Sequence, residues 1–269
     1  MQHTQSKAPV IEIKNLVVCY GSHKVLDNIS TTVAPSEIRV ILGTSGCGKT
    51  TLLKAMIGLN TPSSGTVKLF GREINDMDSP ETRETLKKIG ILFQNGALLG
   101  SLTVGDNVAL PLQMHSSLSK DIIREIVRLK LAQVDLPNAY GLFPQELSGG
   151  MRKRAALARA LVLDPPIVFC DEPSAGLDPV TSAGLDDLLI RLRENLGIAI
   201  VVVTHEISSI KTIADSVVFL YEGRIHFQGG LEDAMKATEG PLFDFFNRRE
   251  IRKHNSGTEE PEFTVENTI

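Results

Sequence analysis

Residues 43–51 form a glycine-rich loop between an apolar run, 38–42, and a segment with apolar residues at helical spacing, 52–58. This order predicts a strand, a loop and a helix, the context in which a G-x-x-x-x-G-K-[ST] match binds phosphate. Glycines let the backbone adopt positive φ angles and approach a ligand closely. Consecutive N–H groups at the start of a helix then attract an anion. The sequence therefore predicts a nucleotide-binding loop made of Gly43, Thr44, Ser45, Gly46, Cys47, Gly48, Lys49, Thr50 and Thr51.

Two residues at the end of this loop have predicted chemical roles. Lys49 places a positive charge on the β- and γ-phosphates, and the Thr50 hydroxyl is a ligand for Mg²⁺. Cys47 has two interpretations: a reactive thiolate favoured by N–H dipoles and positive charge, or a small residue at a variable position, which we favour. With Cys19 and Cys170 it makes three scattered cysteines, which fit neither a disulfide framework nor a zinc site and indicate a reducing compartment.

The composition limits the partners of the chain. Hydrophobic residues make up 42% and charged residues 22% of its 269 residues, which is ordinary for a globular protein. The net charge of −4 argues against a general nucleic-acid surface, so we expect no nucleic-acid partner. The apolar runs are too short to span a bilayer, and the N-terminus lacks the apolar stretch of a signal peptide. We therefore expect a cytosolic chain whose membrane role, if any, depends on other subunits.

The order of segments predicts an α/β protein. Short β-type runs between residues 10 and 32, and a strand at 65–71, indicate an antiparallel β-layer. Residues 79–89 and most of 95–163 are predicted to be helical, including 120–131 and 151–163. Apolar strands at 89–93, 167–170, 198–203 and 216–220 alternate with helices at 179–195 and 206–213, which is typical of a parallel sheet covered by helices. Residues 1–9 and 252–269 are predicted to be flexible tails.

Two carboxylates follow the apolar run 167–170. Asp171 and Glu172 would lie at the carboxyl end of a buried parallel strand, where ligands of such sheets bind. This position suits Asp171 as a Mg²⁺ ligand through water and Glu172 as the group that polarises the attacking water. The alternative is a solvated acidic turn. We favour it less, because the sequence also contains a predicted phosphate loop at the same edge of the sheet.

Ser148, Gly149, Gly150 and Met151 precede a segment rich in alanine and arginine. A serine and two glycines before a helix can form a second anion site, because the helix dipole favours negative charge there. An ordinary N-cap is an equal alternative when this motif is taken alone.

These motifs, in this order, resemble those of the ATP-binding cassette (ABC) ATPases over residues 10–230. The resemblance implies a P-loop (RecA-like) core with a mostly parallel sheet, an antiparallel β subdomain and an inserted helical subdomain at about 95–160, within a domain at 10–245. It also implies ATP and Mg²⁺ as cofactors, ATP hydrolysis, and a homodimer in which residues 148–150 complete the site of the partner subunit. Site residues follow by resemblance: Tyr20 stacks on adenine, Gln94 contacts Mg²⁺ and water, Asp178 lies at the dimer interface, and His205 contacts the γ-phosphate.

Two stretches, 93–112 and 147–160, are similar to the ATPase subunits of Mla-type phospholipid transporters. That similarity implies a separate membrane permease, an MCE-domain lipid-binding partner and a peripheral location on the cytoplasmic side of the inner membrane. It also implies that residues 97–104 dock the permease, with Leu98 and Leu99 in an exposed apolar groove; a covered core segment is the alternative. Met151 replaces the glutamine usual in the broader family, which leaves its contact with the partner's nucleotide open.

Other functions compete with phospholipid transport as interpretations of this sequence. The same cassette could serve another small-molecule or ion cargo. A cassette acting on DNA or ribosomes is disfavoured, since a second cassette, zinc ligands and a basic surface are missing from the sequence. A non-hydrolysing regulatory subunit is disfavoured by the joint presence of Lys49, Glu172 and His205.

Overall fold

The computed structural model describes residues 8–74, 76 and 78–249. Its centre is a six-stranded sheet with the order β10-β9-β3-β8-β7-β6. All neighbouring strands are parallel except the edge pair of β9 and β10. The strands are β3 (Ile38–Gly43), β6 (Ile89–Leu92), β7 (Ile167–Asp171), β8 (Ala199–Val203), β9 (Ser216–Tyr221) and β10 (Arg224–Gly230).

The central strands of this sheet are buried on both faces, which explains their continuous apolar sequences. Every residue of β8 and β9 is buried. In the register, Val40 of β3 lies opposite Val202 on one side and Val217 on the other. The two faces pack into two separate hydrophobic clusters, one against the helices and one against the second sheet. The sheet therefore forms a rigid support for the loops at its carboxyl edge.

The second sheet is antiparallel and has the order β2-β1-β4-β5. The predicted short runs before residue 32 are in fact two long strands joined by a tight turn. Asn15, with a φ of 48°, lies within a register shift of the first strand, so the sequence there does not alternate regularly. The strands are β1 (Ile11–Tyr20), β2 (His23–Val33), β4 (Ser64–Leu69) and β5 (Arg72–Glu73).

Several helices begin at side-chain caps of residue types typical of that position. Ser79, Thr103, Ser119 and Ser148 each accept a hydrogen bond from a backbone N–H of the first turn, which stabilises the helix start. The helices are α1 (Lys49–Met56), α2 (Pro80–Leu86), α3 (Val104–His115), α4 (Lys120–Gln133), α5 (Gly149–Leu161), α6 (Pro179–Leu196), α7 (Ile207–Ile213), α8 (Leu231–Met235) and α9 (Gly240–Phe246).

Most predicted elements are present, with shifted ends. The helix predicted at 79–89 ends at Leu86, because the chain turns there to enter β6. The helix predicted from residue 151 begins at Gly149, since Ser148 caps it. Strand β10 and helices α8 and α9 were not predicted. Strand β10 pairs with β9 at the edge of the sheet, and α8 buries Ala234 in the core. Helix α9 packs on the sheet through Phe245, whose ring lies 5.7 Å from that of Phe219.

The helical region predicted at about 95–160 contains α3, α4, most of α5 and a short 3₁₀ helix, Pro144–Glu146. In the described ranges we find no helix that combines the length and apolarity needed to cross a membrane. The predicted tails, 1–9 and 252–269, lie outside the described residues apart from Ala8 and Pro9.

Candidate functional site

The glycine-rich loop connects β3 to α1 in a conformation that larger residues cannot adopt. Gly43 has a φ of 152° and Gly48 a φ of 104°. A Cβ atom at Gly43 would lie 2.2 Å from the Leu220 carbonyl oxygen, and one at Gly48 would lie 2.6 Å from Leu26 Cδ2. The loop is therefore fixed between β9, β2 and the start of α1, with the N-terminus of that helix turned towards the cavity.

The loop forms one wall of an open cavity of about 910 Å³. The opposite wall comes from the carboxyl ends of β6, β7 and β8, as expected for ligand sites of parallel sheets. The predicted site residues that line it are Gly43, Thr44, Ser45, Gly46, Gly48, Lys49, Thr50, Thr51, Gln94, Asp171, Glu172 and His205.

Lys49 lies over the mouth of the loop. Its Nζ atom donates hydrogen bonds to the carbonyl oxygens of Gly43 and Thr44, both at 2.9 Å. These bonds hold the ammonium group above the N–H groups of the loop. An anion in the loop would therefore meet a positive charge and a helix N-terminus at the same time.

The two carboxylates after β7 have different surroundings. Glu172 has a φ of 46°, a left-handed conformation that is strained for a residue with a side chain. Its N–H donates to the Val203 carbonyl oxygen at 2.8 Å, and its Oε1 lies 2.8 Å from His205 Nδ1. Burial, reinforced by the charge of Glu172, raises the pKa of Asp171. The structure thus brings the side chains that follow β7 and β8 into contact at one wall of the cavity.

Two buried oxygens at this point have no hydrogen-bond partner among the described residues. They are Asp171 Oδ1 and Glu172 Oε2. An unpartnered buried carboxylate oxygen is costly unless a ligand satisfies it. Thr50 and Gln94, which line the same cavity, add neutral oxygen atoms of the kind that Mg²⁺ accepts.

This donor set fits Mg²⁺ bound together with phosphate. Within the described ranges there is no group of three or more His, Cys, Asp or Glu residues that could hold a metal ion. A site with one carboxylate, one hydroxyl and one amide oxygen leaves most of the coordination to water and to phosphate oxygens. Mg²⁺ is commonly bound in this way in nucleotide sites.

Two of the predicted nucleotide contacts do not line this cavity. The Tyr20 ring is 52% exposed at the end of β1, and its hydroxyl accepts a hydrogen bond from Asn60 Nδ2 at 2.7 Å. The Cys47 side chain is buried below the loop. Burial raises the pKa of the Cys47 thiol, against a smaller opposing effect of Lys49, so the site does not favour a thiolate.

Ser148, Gly149, Gly150 and Asp178 also lie outside the cavity of their own chain. Ser148 accepts a hydrogen bond from the Met151 N–H at 3.2 Å and caps α5. Asp178 caps α6, accepting from the N–H groups of Val180 and Thr181. Within one chain, these residues are helix caps.

The sequence did not reveal several residues around the site. Glu206, Ile207, Arg248 and Arg249 also line the cavity. Lys153 lies behind the site, buried in α5. Lys153, Ala156 and Leu157 are spaced as one helix face, and this apolar spacing was the available signal that the lysine points inward.

The segment around Gln94 exposes apolar side chains on both sides of that residue. Phe93 is 37% and Leu99 49% exposed, while Leu98 packs partly buried against the helical core. Asn107, fully buried in α3, accepts from the Leu99 N–H at 2.7 Å and donates to the carbonyl oxygens of residues 99, 102 and 103. One asparagine therefore fixes the shape of the loop that presents Leu99.

The sequence model of the family described as ABC transporter matches residues 26–175, which contain the loop, Gln94, the capped start of α5 and Asp171–Glu172. The chain belongs to the ABC transporter family. It is an ATPase of that family and binds ATP. ABC ATPases dimerise and work with membrane permease subunits.

Relatives of this ABC ATPase carry different cargo names. The probable ribonucleotide transport ATP-binding protein mkl of Mycobacterium tuberculosis (strain ATCC 25618 / H37Rv) is 39% identical over 255 residues, 95% of this chain and 71% of mkl. The intermembrane phospholipid transport system ATP-binding protein MlaF of Haemophilus influenzae is 39% identical over 236 residues, 88% and 89% of the two chains. The methionine import ATP-binding protein MetN of Clostridium tetani is 36% identical over 242 residues, which are 90% of this chain and 76% of MetN. The cargo is therefore not settled by these relatives.

Solved structures of cassettes share the fold of this ABC ATPase. The cbiO1 subunit from Clostridium perfringens, part of the transporter complex cbiONQ, has a TM-score of 0.79 at 29% identity, covering 85% of this chain and 91% of its own. The dimeric structure of the bacterial cassette MJ0796 has a TM-score of 0.76 at 32% identity, covering 82% of this chain and 98% of the MJ0796 chain. A post-hydrolysis dimer of MJ0796 with ADP and Pi has a TM-score of 0.75 at 31% identity, with the same coverage.

Proposed function

We propose that this chain is the ATP-hydrolysing subunit of a transporter that moves phospholipid through a separate membrane permease. The similarity to MlaF carries the proposal, since it extends over 88% of this chain and 89% of MlaF. We further propose that the subunit lies on the cytoplasmic side of the inner membrane and that an MCE-domain lipid-binding protein belongs to the same complex. Both follow from the resemblance to Mla-type systems.

The predicted catalytic roles have support from the geometry of one chain. Glu172 offers one oxygen to His205 and leaves Oε2 buried and unpartnered, so this oxygen is free to accept a hydrogen bond from water. His205 fixes the direction of the carboxylate and faces the cavity with its imidazole. We propose that Glu172 polarises the attacking water and that His205 and Lys49 bind the γ-phosphate.

Thr50, Gln94 and Asp171 would hold Mg²⁺ together with the phosphates. When bound, the ion neutralises negative charge on the β- and γ-phosphates. The unpartnered Asp171 Oδ1 supports this assignment. Stacking of Tyr20 on adenine stays a prediction.

We propose that the second anion site at residues 148–150 acts across a dimer. The N-terminus of α5 lies outside the cavity of its own chain, so its N–H groups can stabilise an anion only on another subunit. In a two-fold dimer each subunit lends this helix start to its partner, and the interface closes without forming filaments. The dimers of MJ0796 show that a cassette of this fold associates in pairs. The role of Asp178 at the interface rests on the same proposal.

The second candidate cargo is a small molecule such as a ribonucleotide, because mkl, which is named for ribonucleotide transport, aligns with 95% of this chain. The decisive experiment is to purify the full-length chain with the membrane proteins that accompany it and to identify bound lipids by mass spectrometry. We expect phospholipid in the complex and ATP-dependent transfer of labelled phospholipid between vesicles.

The matched control is the same complex carrying Glu172→Gln, which should bind ATP but not drive transfer. A complex without phospholipid, whose ATPase activity responds to a nucleotide or amino-acid cargo, would contradict phospholipid transport and favour the second candidate.

A further inference from the structure

Lys153 is a buried lysine directly behind the candidate site. It lies one turn into α5 and is 6% exposed. Its Nζ atom donates hydrogen bonds to two backbone carbonyl oxygens, that of Gln94 and that of Glu172, the latter at 3.1 Å. One ammonium group therefore connects α5 to two segments that carry predicted catalytic side chains.

The two carbonyls belong to neighbouring strands of the sheet. Gln94 follows β6 and Glu172 follows β7, which are paired in parallel. Without a common partner, the two connecting segments could move independently beyond the last strand pair. Lys153 fixes the separation between them, and with it the distance between the two side chains in the cavity.

Glu172 depends on external contacts more than an ordinary residue, because its left-handed backbone, with a φ of 46°, is strained and persists only if its surroundings hold it. Its N–H is held by Val203 at 2.8 Å and its carbonyl oxygen by Lys153. These two bonds fix both peptide groups of Glu172 and hence the direction of its side chain.

A buried lysine at this position lowers the stability of the fold unless its ammonium group is fully hydrogen-bonded. Burying an ammonium group costs free energy that two carbonyl hydrogen bonds only partly return. Methionine has a similar length and would pack among Ala156 and Leu157 without that cost. A buried lysine aimed at two catalytic segments therefore indicates a function beyond stability.

We propose that Lys153 is a positioning residue for hydrolysis, which sets the relative orientation of Gln94 and Glu172 without touching the nucleotide. The inference rests on the proposed roles of those two residues. Arg159, two turns further along α5, donates separately to the carbonyl oxygens of Gly96 and Ala97 at 2.8 and 2.7 Å. It keeps the Gln94 segment on α5 when Lys153 is replaced, so the effect of Lys153 is confined to orientation.

The test compares Lys153→Met, Lys153→Arg and Lys130→Met in the full-length chain with its co-purifying membrane proteins. Lys130 is an equally buried lysine of the helical region, 6% exposed, which pairs with Asp164 at 2.5 Å. We expect Lys153→Met to lower kcat between about tenfold and a hundredfold, as for a misplacement of order 1 Å. The KM for ATP and the equilibrium affinity for ATP should change less than about threefold, because the phosphate loop is not contacted.

The other variants separate positioning from simple stability. Lys153→Arg, which can donate to both carbonyls, should recover most of kcat. Lys130→Met should lower the melting temperature and leave kcat within about twofold. Hydrogen exchange of the amides at 95–98 should stay close to that of wild type in Lys153→Met, because Arg159 still bonds the carbonyl oxygens of Gly96 and Ala97. If Lys153→Met does not fold, Lys153→Leu, which also lacks a donor, replaces it with the same expected loss of kcat.

A wild-type kcat in Lys153→Met, or a raised KM with an unchanged kcat, would overturn the inference. Glu172→Gln is measured in parallel. If that variant also hydrolyses ATP at the wild-type rate, the proposed role of Glu172 fails; if it is inactive while Lys153→Met is not, the inference on Lys153 alone fails.

Discussion

His205 Nδ1 lies 2.8 Å from Glu172 Oε1, although 33 residues separate them in the sequence. The contact forms because β7 and β8 are adjacent parallel strands, with Asp171 opposite Val203, and both side chains follow at the carboxyl ends. The histidine orients the carboxylate, and the second carboxylate oxygen is left for a ligand. This arrangement suits the proposed role of Glu172 as a base that His205 orients.

The Glu172–His205 contact predicts different losses for its two members. Glu172→Gln should lower the kcat for ATP hydrolysis by about 10²–10⁴, since an amide cannot act as a base. His205→Ala should lower it less, by about tenfold or more, because the carboxylate keeps its chemistry but loses its orientation. Single-turnover assays and equilibrium binding of ATP measure the two steps. Retained ATP binding is the control, and wild-type turnover in Glu172→Gln would remove it from its proposed role.

Leu99 is predicted to contact the permease. Leu99→Asp should break co-purification with the membrane subunits, because Leu99 is 49% exposed and lies in the segment that, by resemblance to Mla-type ATPases, docks the permease. ATP binding should stay intact, since Leu99 does not line the nucleotide cavity. Leu98→Asp should instead destabilise the fold, since Leu98 packs against the helical core.

The control for Leu99→Asp is Leu129→Asp on α4, where the leucine is 65% exposed. Equal loss of the membrane subunits in both variants would show a general effect of charge rather than a docking contact at Leu99.

The fold and the local motifs could be predicted because their signals are local. The loop at 43–51 is placed by its flanking strand and helix, and Ser79 and Ser148 cap helices in the way their sequence indicates. The parallel strands are recognisable because each is a short apolar run between helices. For the same reason the sequence placed the candidate site at the carboxyl edge of the sheet.

Contacts between distant segments could not be predicted. Lys153 is a cation within an arginine- and lysine-rich stretch. Its spacing from Ala156 and Leu157 signals an inward direction, but only tertiary structure shows that its partners are the carbonyl oxygens of Gln94 and Glu172. Asn107 is an unremarked polar residue in α3 until its bonds to the 99–103 loop are known. The left-handed backbone of Glu172 has no local sequence signal either, since non-glycine residues adopt it under tertiary constraint.

The cysteines are predicted to react with thiol reagents in an order set by burial. Cys19 is partly exposed, while Cys47 and Cys170 are buried; burial raises the pKa of Cys47 and raises that of Cys170 to about 12. Because the thiolate is the reactive form, we expect N-ethylmaleimide to modify Cys19 first and Cys170 last. Labelling of Cys47 should accelerate as the pH is raised from about 7 to 9. Peptide mass spectrometry measures each rate, and fast labelling of Cys47 at neutral pH would indicate an activated thiolate instead.

Asp186 on α6 is predicted to make stability depend on pH. It is buried beside Ser209 of α7, whose hydroxyl donates to its Oδ2 at 2.7 Å. Burial raises the pKa of Asp186, and the hydrogen bond from Ser209 opposes the shift. The folded state therefore binds the Asp186 proton more tightly than the unfolded state does. The contribution of Asp186 to the free energy of unfolding is fully present below pH 3.8, the ordinary pKa of the group. It is lost as the pH rises from there through the raised pKa of the folded state.

Asp186→Asn removes this titration. Its melting temperature relative to wild type should therefore be higher at about pH 8 than at about pH 4, whatever constant offset the amide introduces. Ser209→Ala should act in the opposite direction, since loss of the hydrogen bond raises the carboxyl pKa further and makes stability fall more steeply with pH. Calorimetry at both pH values measures the differences. An Asp186→Asn offset that is the same at the two pH values would mean that the carboxyl titrates alike in the folded and unfolded chains.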